Sequence, residues 1–139
     1  MIAAPLFQVI YTSRSRIGGD ATTLRREVAE ILEAARRDNA RDGITGALLY
    51  NHAGFAQVLE GPLPAVTATF ERIQRDSRHG DVVVLASGAI AARAFADWRM
   101  GLADPLAPET GSLDLGAASA EGIVALLASV VGQAAAWPA

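Results

Sequence analysis

Apolar and polar positions alternate over Leu6 to Ser13 (LFQVIYTS), so that Phe7, Val9 and Tyr11 share one face, the period of a strand. Arg14 to Thr23 holds Gly18-Gly19-Asp20 and reads as a loop, with Thr22 or Thr23 as the cap of the helix that follows. Leu24, Val28, Ile31, Leu32 and Ala35 then recur at helical spacing and predict a helix over 24–39. The same stripe carries Asn39, four residues after Ala35, toward the core near the helix end.

Two short apolar segments, Ile44 to Tyr50 and Phe55 to Glu60, flank the turn Asn51-His52-Ala53-Gly54, in which Gly54 can take the left-handed backbone; together they predict a hairpin. In its second strand Phe55, Gln57 and Leu59 point one way and Ala56, Val58 and Glu60 the other. Gln57 therefore stands on an apolar row. A buried amide without partners costs about 1–3 kcal/mol, so either that face is wet or a group within the core bonds it.

Val66, Phe70 and Ile73 predict a second amphipathic helix over 64–76, with Pro64 in its first turn, followed by the charged loop Arg75 to Gly80. Asp81 to Ser87 (DVVVLAS) is a nearly continuous apolar run, expected of a strand buried on both faces. Gly88 to Arg93 reads as a bend. Phe95 to Leu102 reads as a last strand in which Trp98, Met100 and Leu102 alternate with Arg99 and Gly101. Pro105, Pro108, Gly111 and Gly116 mark a connecting loop, and Ser119 caps a helix through Ala135. That helix carries Ile123, Leu126, Leu127, Val130 and Val131 and needs cover, from an open sheet face or from a second subunit. The order β-α-β-β-α-β-β plus a helical tail is an α+β architecture, with one domain over 1–103 and a linker and helix over 104–139.

The 139 residues, 51% of them apolar, suffice for one well-cored domain. A net charge of −3 without basic runs argues against a nucleic-acid surface. Cys is absent, which excludes thiol chemistry, and the two His, His52 and His79, have no metal-ligand spacing. No apolar run reaches the ~18 residues of a membrane span and the N-terminus lacks a basic leader region, so the cytoplasm is the expected location.

Candidate chemistry lies in Tyr11, Asn39, Gln57 and the pair Trp98 and Met100, which the predicted elements bring near one another. Taken singly, a strand Tyr is core filler and a helix-end Asn is a C-cap. Two core-facing amides, Asn39 and Gln57, could instead pair with a planar ligand that offers donors and acceptors. In Asp76-Ser77-Arg78-His79 the plain account is a solvated helix C-terminus favoured by the dipole. The functional account gives Arg78 a ligand carbonyl or phosphate, His79 stacking or acid–base work, and Asp76 ligand hydroxyls. Gly18-Gly19-Asp20 lacks the phosphate-binding patterns.

The segments VIYTS, Asn39 with DGITGALLY, GFAQVLEGP, IQRDSRHGDV and RAFADWRMGL, in this order, resemble the BLUF domains, flavin-binding sensors of blue light, over Leu6 to Leu102. The resemblance implies a ferredoxin-like fold, a five-stranded mixed sheet with two helices on one face, and noncovalent FAD, with FMN as the other candidate. It implies Tyr11 as the light-dependent electron and proton donor, Gln57 as the amide between Tyr11 and the flavin, and Asn39 and Arg78 as partners of the pyrimidine edge. His79 would pack beside the ring, Asp76 would lie near the ribityl chain, and Ile31 and Phe55 would form apolar walls. Trp98 and Met100 resemble the pair whose exchange near Gln57 is the debated output route. The resemblance implies no substrate turnover; the signal would pass to a separate protein or through a changed homo-oligomer. Asp38 stands where many members have a second amide, Ala56 replaces a bulkier residue, and the loop 14–23 is longer than in compact members. Two rival readings remain: a small enzyme using His79 and Asp76 as an acid–base pair, and a light-insensitive interaction module with the same fold.

Overall fold

The structure, a computed structural model, describes residues 5–103 and 108–133. Five strands form one sheet: β1 (Leu6–Ser15), β2 (Thr45–Tyr50), β3 (Gly54–Pro62), β4 (His79–Ile90) and β5 (Gly101–Leu102), in the order β4-β1-β3-β2-β5. All pairs are antiparallel except β2 with β5. The helices α1 (Ala21–Asp42) and α2 (Leu63–Arg75) cover one face through Val28, Leu32 and Val66, which meet Val9, Tyr11, Leu48, Phe55 and Leu59. The five-residue α3 (Pro108–Ser112), a 3-10 turn (Leu115–Ala117) and α4 (Ala120–Gln133) follow. Ile123, Leu127, Val130 and Val131 of α4 bury against Ile10, Ala47, Leu49, Ala56 and Val58 on the other face. Of the two covers open to the last helix, the sheet is the one it takes. Pro105 and the expected helix end at Ala135 lie outside the described residues.

Several boundaries differ from the pattern. The cap of α1 is Asp20, whose carboxylate accepts from Thr23 N at 2.9 Å and Thr23 Oγ1 at 3.0 Å; neither Thr22 nor Thr23 caps. The helix runs on to Asp42 and stops at Gly43, where φ of 75° is left-handed backbone. The hairpin turn needs no left-handed Gly54. Asn51 closes it, its Oδ1 accepting from Ala53 N at 2.9 Å and Gly54 N at 3.3 Å, while its Nδ2 donates to Thr110 O and Leu113 O, both at 3.2 Å.

Two strands depart further. The apolar run 81–87 is not buried on both faces: it lies within β4 at the sheet edge, with Val83 53% and Val84 46% exposed, and the strand continues through the expected bend to Ile90. Its register slips twice against β1, between Ile10 and Tyr11 and between Thr12 and Arg14. The last strand, expected over 95–102, is only Gly101–Leu102. A turn in which Trp98 N donates to Phe95 O at 3.0 Å breaks the alternation. Trp98 consequently packs with the α4 layer, whereas Met100 and Leu102 join the α1/α2 layer. The two side chains expected to share a face lie on opposite sides of the sheet. Gly101 has no room for a side chain, because a Cβ there would come within 2.6 Å of Val131 Cγ1 and 3.2 Å of the Trp98 ring.

Candidate functional site

Strand pairing sets Tyr11 opposite Gln57 and Leu48 opposite Gln57 on its other side, so three residues of one face converge at the middle of the sheet. Above them α1 and α2 leave a cleft of about 200 Å³. Ile31, Ala35, Asp38 and Asn39 form the α1 wall; Thr69, Arg72 and Ile73, spaced i, i+3, i+4, form the α2 wall, with Asp76 just beyond the end of that helix. Leu48 and Gln57 form the floor, and Arg78 and His79 complete the lining. Of the residues singled out by sequence, Ile31, Asn39, Gln57, Asp76, Arg78 and His79 thus share one cleft. Tyr11, Phe55 and Met100 lie in the layer beneath, and Trp98 is across the sheet.

The polar groups of the floor form a chain. Tyr11, fully buried, donates its hydroxyl to Gln57 Oε1, and Gln57 Nε2 donates to Met100 Sδ at 3.2 Å. A thioether is a weak acceptor, and the amide nitrogen has a second hydrogen. Asn39, 1% exposed, donates Nδ2 to Arg99 O at 2.7 Å, which leaves its carbonyl oxygen as an acceptor. Arg36 Nε donates to Met100 O at 3.1 Å, so α1 holds the backbone carbonyls on both sides of Met100.

The charged rim is organised around Asp76, which accepts from Arg78 Nη2 at 2.7 Å and Nε at 3.0 Å; those bonds hold its carboxyl below the usual range and raise the guanidinium. Arg78 Nη1 also lies 3.4 Å from Glu27 Oε2 on α1. Arg72 is held loosely, 3.8 Å from both Asp38 and Asp42. Burial, with Asp76 nearby, pushes the Tyr11 phenol well up. Burial pushes the buried His79 imidazole down, against the pull of Asp76 and with the help of Arg78. The ring packs 4.6 Å from that of Phe55, and its Nδ1 is 2.8 Å from Ser13 Oγ.

The shifted imidazole has a consequence for stability. The unfolded chain takes up a proton near pH 6.5, whereas folded His79 takes it up only at lower pH, so stability is full above 6.5 and falls as pH drops through that window. One such group gives a slope of at most about 1.36 kcal/mol per pH unit. Urea unfolding at pH 7.5 and 5.5 should therefore show a smaller loss in His79→Gln than in wild type; equal losses would refute the account.

Sequence reasoning missed Arg72, Thr69, Ser13 and Glu60. For Arg72 a signal existed, its i+3 spacing from Thr69 beside Ile73. Glu60 shares the apolar row of Ala56 and Val58, the same oddity that made Gln57 stand out.

A cleft with apolar walls, two core amides, a buried phenol donating to one of them, and arginine and carboxylate at the rim fits a flat heterocycle with a polar edge and a hydroxylated tail. The family model for sensors of blue-light using FAD matches residues 6–101. The chain belongs to the BLUF family. Among curated proteins it is similar to the photoactivated adenylate cyclase subunit beta of Euglena longa, 40% identical over 77 residues, which are 55% of this chain and 9% of that protein. Among solved structures, the dark state of the BLUF protein BlrB superposes with a TM-score of 0.77 at 32% identity, covering 95% of this chain and 99% of that one. Klebsiella pneumoniae BlrP1 with FMN and cyclic diGMP superposes with a TM-score of 0.64 at 30% identity, over 90% of this chain and 30% of that one. The five-stranded mixed sheet is the ferredoxin-like fold of these BLUF structures, and flavin binding and blue-light sensing are what the family is defined by. Among the described residues no helix is long and apolar enough to cross a membrane.

Proposed function

We propose that this BLUF domain uses Gln57 as a rotating switch driven by Tyr11, with FAD in the cleft between α1 and α2. The observation that carries the reading is the buried bond from the Tyr11 hydroxyl to Gln57 Oε1 on the cleft floor. When bound, the flavin supplies blue-light absorption and, once excited, oxidising power. Tyr11 does not ionise readily in its buried setting, so an electron passing from it to the excited flavin would leave together with its proton. Gln57 Oε1 is the atom placed to receive that proton. Its amide has a donor end and an acceptor end, and turning it exchanges the two. The turn removes the bond to Met100 Sδ, whose backbone is tied to Arg36 of α1, so a change on the floor reaches the helix layer.

Around this switch, Asn39 would accept from a ring N–H through the carbonyl that Arg99 leaves free, and Ile31 and Ile73 would enclose the ring. Arg78 is bonded to Asp76 and paired with Glu27, whereas among the described residues Arg72 has only long ion pairs and one bond to Thr69 Oγ1 at 3.2 Å. Arg72 is therefore the better donor to a pyrimidine carbonyl, with Arg78 holding Asp76 for the ribityl hydroxyls. Purified protein loaded with flavin should show a small red shift of its absorption under blue light that reverses in the dark. Protein that takes up neither FAD nor FMN, or whose flavin spectrum blue light leaves unshifted, would overturn the proposal.

A further inference from the structure

Ser13 stands two residues beyond Tyr11 on β1, on the same face, and is 4% exposed. Its hydroxyl is 2.8 Å from His79 Nδ1, and among the described residues this is the only side-chain hydrogen bond of either group. Phe55 packs against the same ring and Tyr11 lies edge-on to it, at a centroid distance of 6.3 Å and 71°. The imidazole is therefore gripped on its Nδ1 side while the residue lines the cleft.

Two arrangements satisfy a 2.8 Å contact. If Nδ1–H donates to Ser13 Oγ, the hydroxyl hydrogen is left in a buried place without an acceptor. If the hydroxyl donates to Nδ1, the ring carries its hydrogen on Nε2, and no donor is stranded on the β1 side. Orphan buried donors are rarer and costlier than under-used acceptor lone pairs. We propose that Ser13 is a positioning residue that fixes His79 as the Nε2–H tautomer, making this neutral side chain a hydrogen-bond donor to an acceptor atom of the bound flavin. The ligand half of this inference rests on the flavin reading above; the tautomer half stands without it.

Both halves are open to measurement. Nitrogen-15 NMR of the full-length, histidine-labelled protein should give His79 an Nε2 of protonated type and an Nδ1 of unprotonated type, at a pH above 7, with and without flavin. An Nδ1–H signal in wild type overturns the assignment. Ser13→Ala should lose this pattern and Ser13→Thr, which keeps a hydroxyl on a strand, should restore it; an unchanged tautomer in Ser13→Ala also overturns it. Flavin titrations should then show about tenfold weaker binding for Ser13→Ala, the worth of one neutral hydrogen bond, and near wild-type binding for Ser13→Thr. Equal weakening in both variants would mean that Ser13 acts through packing. A wild-type protein that binds no flavin but keeps the Nε2–H pattern would sink the flavin reading while leaving the role of Ser13 in the tautomer intact.

Discussion

Gln57→Leu is expected to leave flavin bound and to abolish the light-induced red shift altogether. Leu has nearly the shape of Gln, so the floor between Tyr11 and Leu48 stays filled, and the α1 and α2 walls keep their apolar contacts, the buried Asn39 and Arg72. What disappears is the acceptor of the Tyr11 hydroxyl and the donor to Met100 Sδ. The first leaves a buried O–H unpaired, a cost of about 1–3 kcal/mol to stability, which circular dichroism would register as a modest fall in Tm. The second removes the only group proposed to change partners. Absorption spectra before and after blue light test the result directly, and a normal reversible shift in this variant would refute the role given to Gln57.

The resemblance carried the family, and the hydrophobic pattern carried the positions on which this prediction rests. Gln57 and Asn39 could be located because strand and helix periods fix which way a side chain points, and both are buried where those periods put them. Register then did the rest, since Tyr11 and Gln57 are direct cross-strand partners. The pattern failed where local sequence underdetermines long-range partners. An apolar run such as DVVVLAS looks alike in a central strand and at an edge, and only the sheet order tells them apart. Trp98 and Met100 were expected on one face because strand alternation was assumed; the turn from Phe95 to Trp98 breaks it, and that turn depends on a residue 35 positions earlier in the chain. Ser13 gains its meaning only from His79 on another element, and the spacing of Arg72 and the apolar row of Glu60 flag those two residues without naming their partners.

That earlier residue is Glu60, and its loss should have a large effect on stability. It is 0% exposed on the α4 side of β3. Its Oε1 accepts from Thr45 Oγ1 and Phe95 N, both at 2.9 Å, and its Oε2 from Ala94 N at 2.7 Å. Arg93 closes the cluster, donating Nη1 to Thr45 Oγ1 at 2.8 Å and to Glu60 O at 3.2 Å. One side chain thus fixes the stretch that turns the chain from Phe95 in the α4 layer toward Met100 beneath the cleft. Glu60→Ala takes the acceptor from the buried Phe95 N–H and Thr45 hydroxyl and from the part-buried Ala94 N–H, and opens a void beside Phe95. Losses of this kind sum to about 3–5 kcal/mol. For a domain of this size that is a fall in Tm of about 10–17 °C. Glu60→Gln should cost less, because its carbonyl can keep Thr45 and Phe95 while its amide meets the Ala94 N–H donor to donor. Thermal unfolding of the two variants beside Glu121→Gln, an exposed change on α4 expected within about 0.5 kcal/mol of wild type, separates the cluster from general charge effects. A Glu60→Ala protein as stable as wild type would mean that the 93–95 segment is held by its apolar contacts alone.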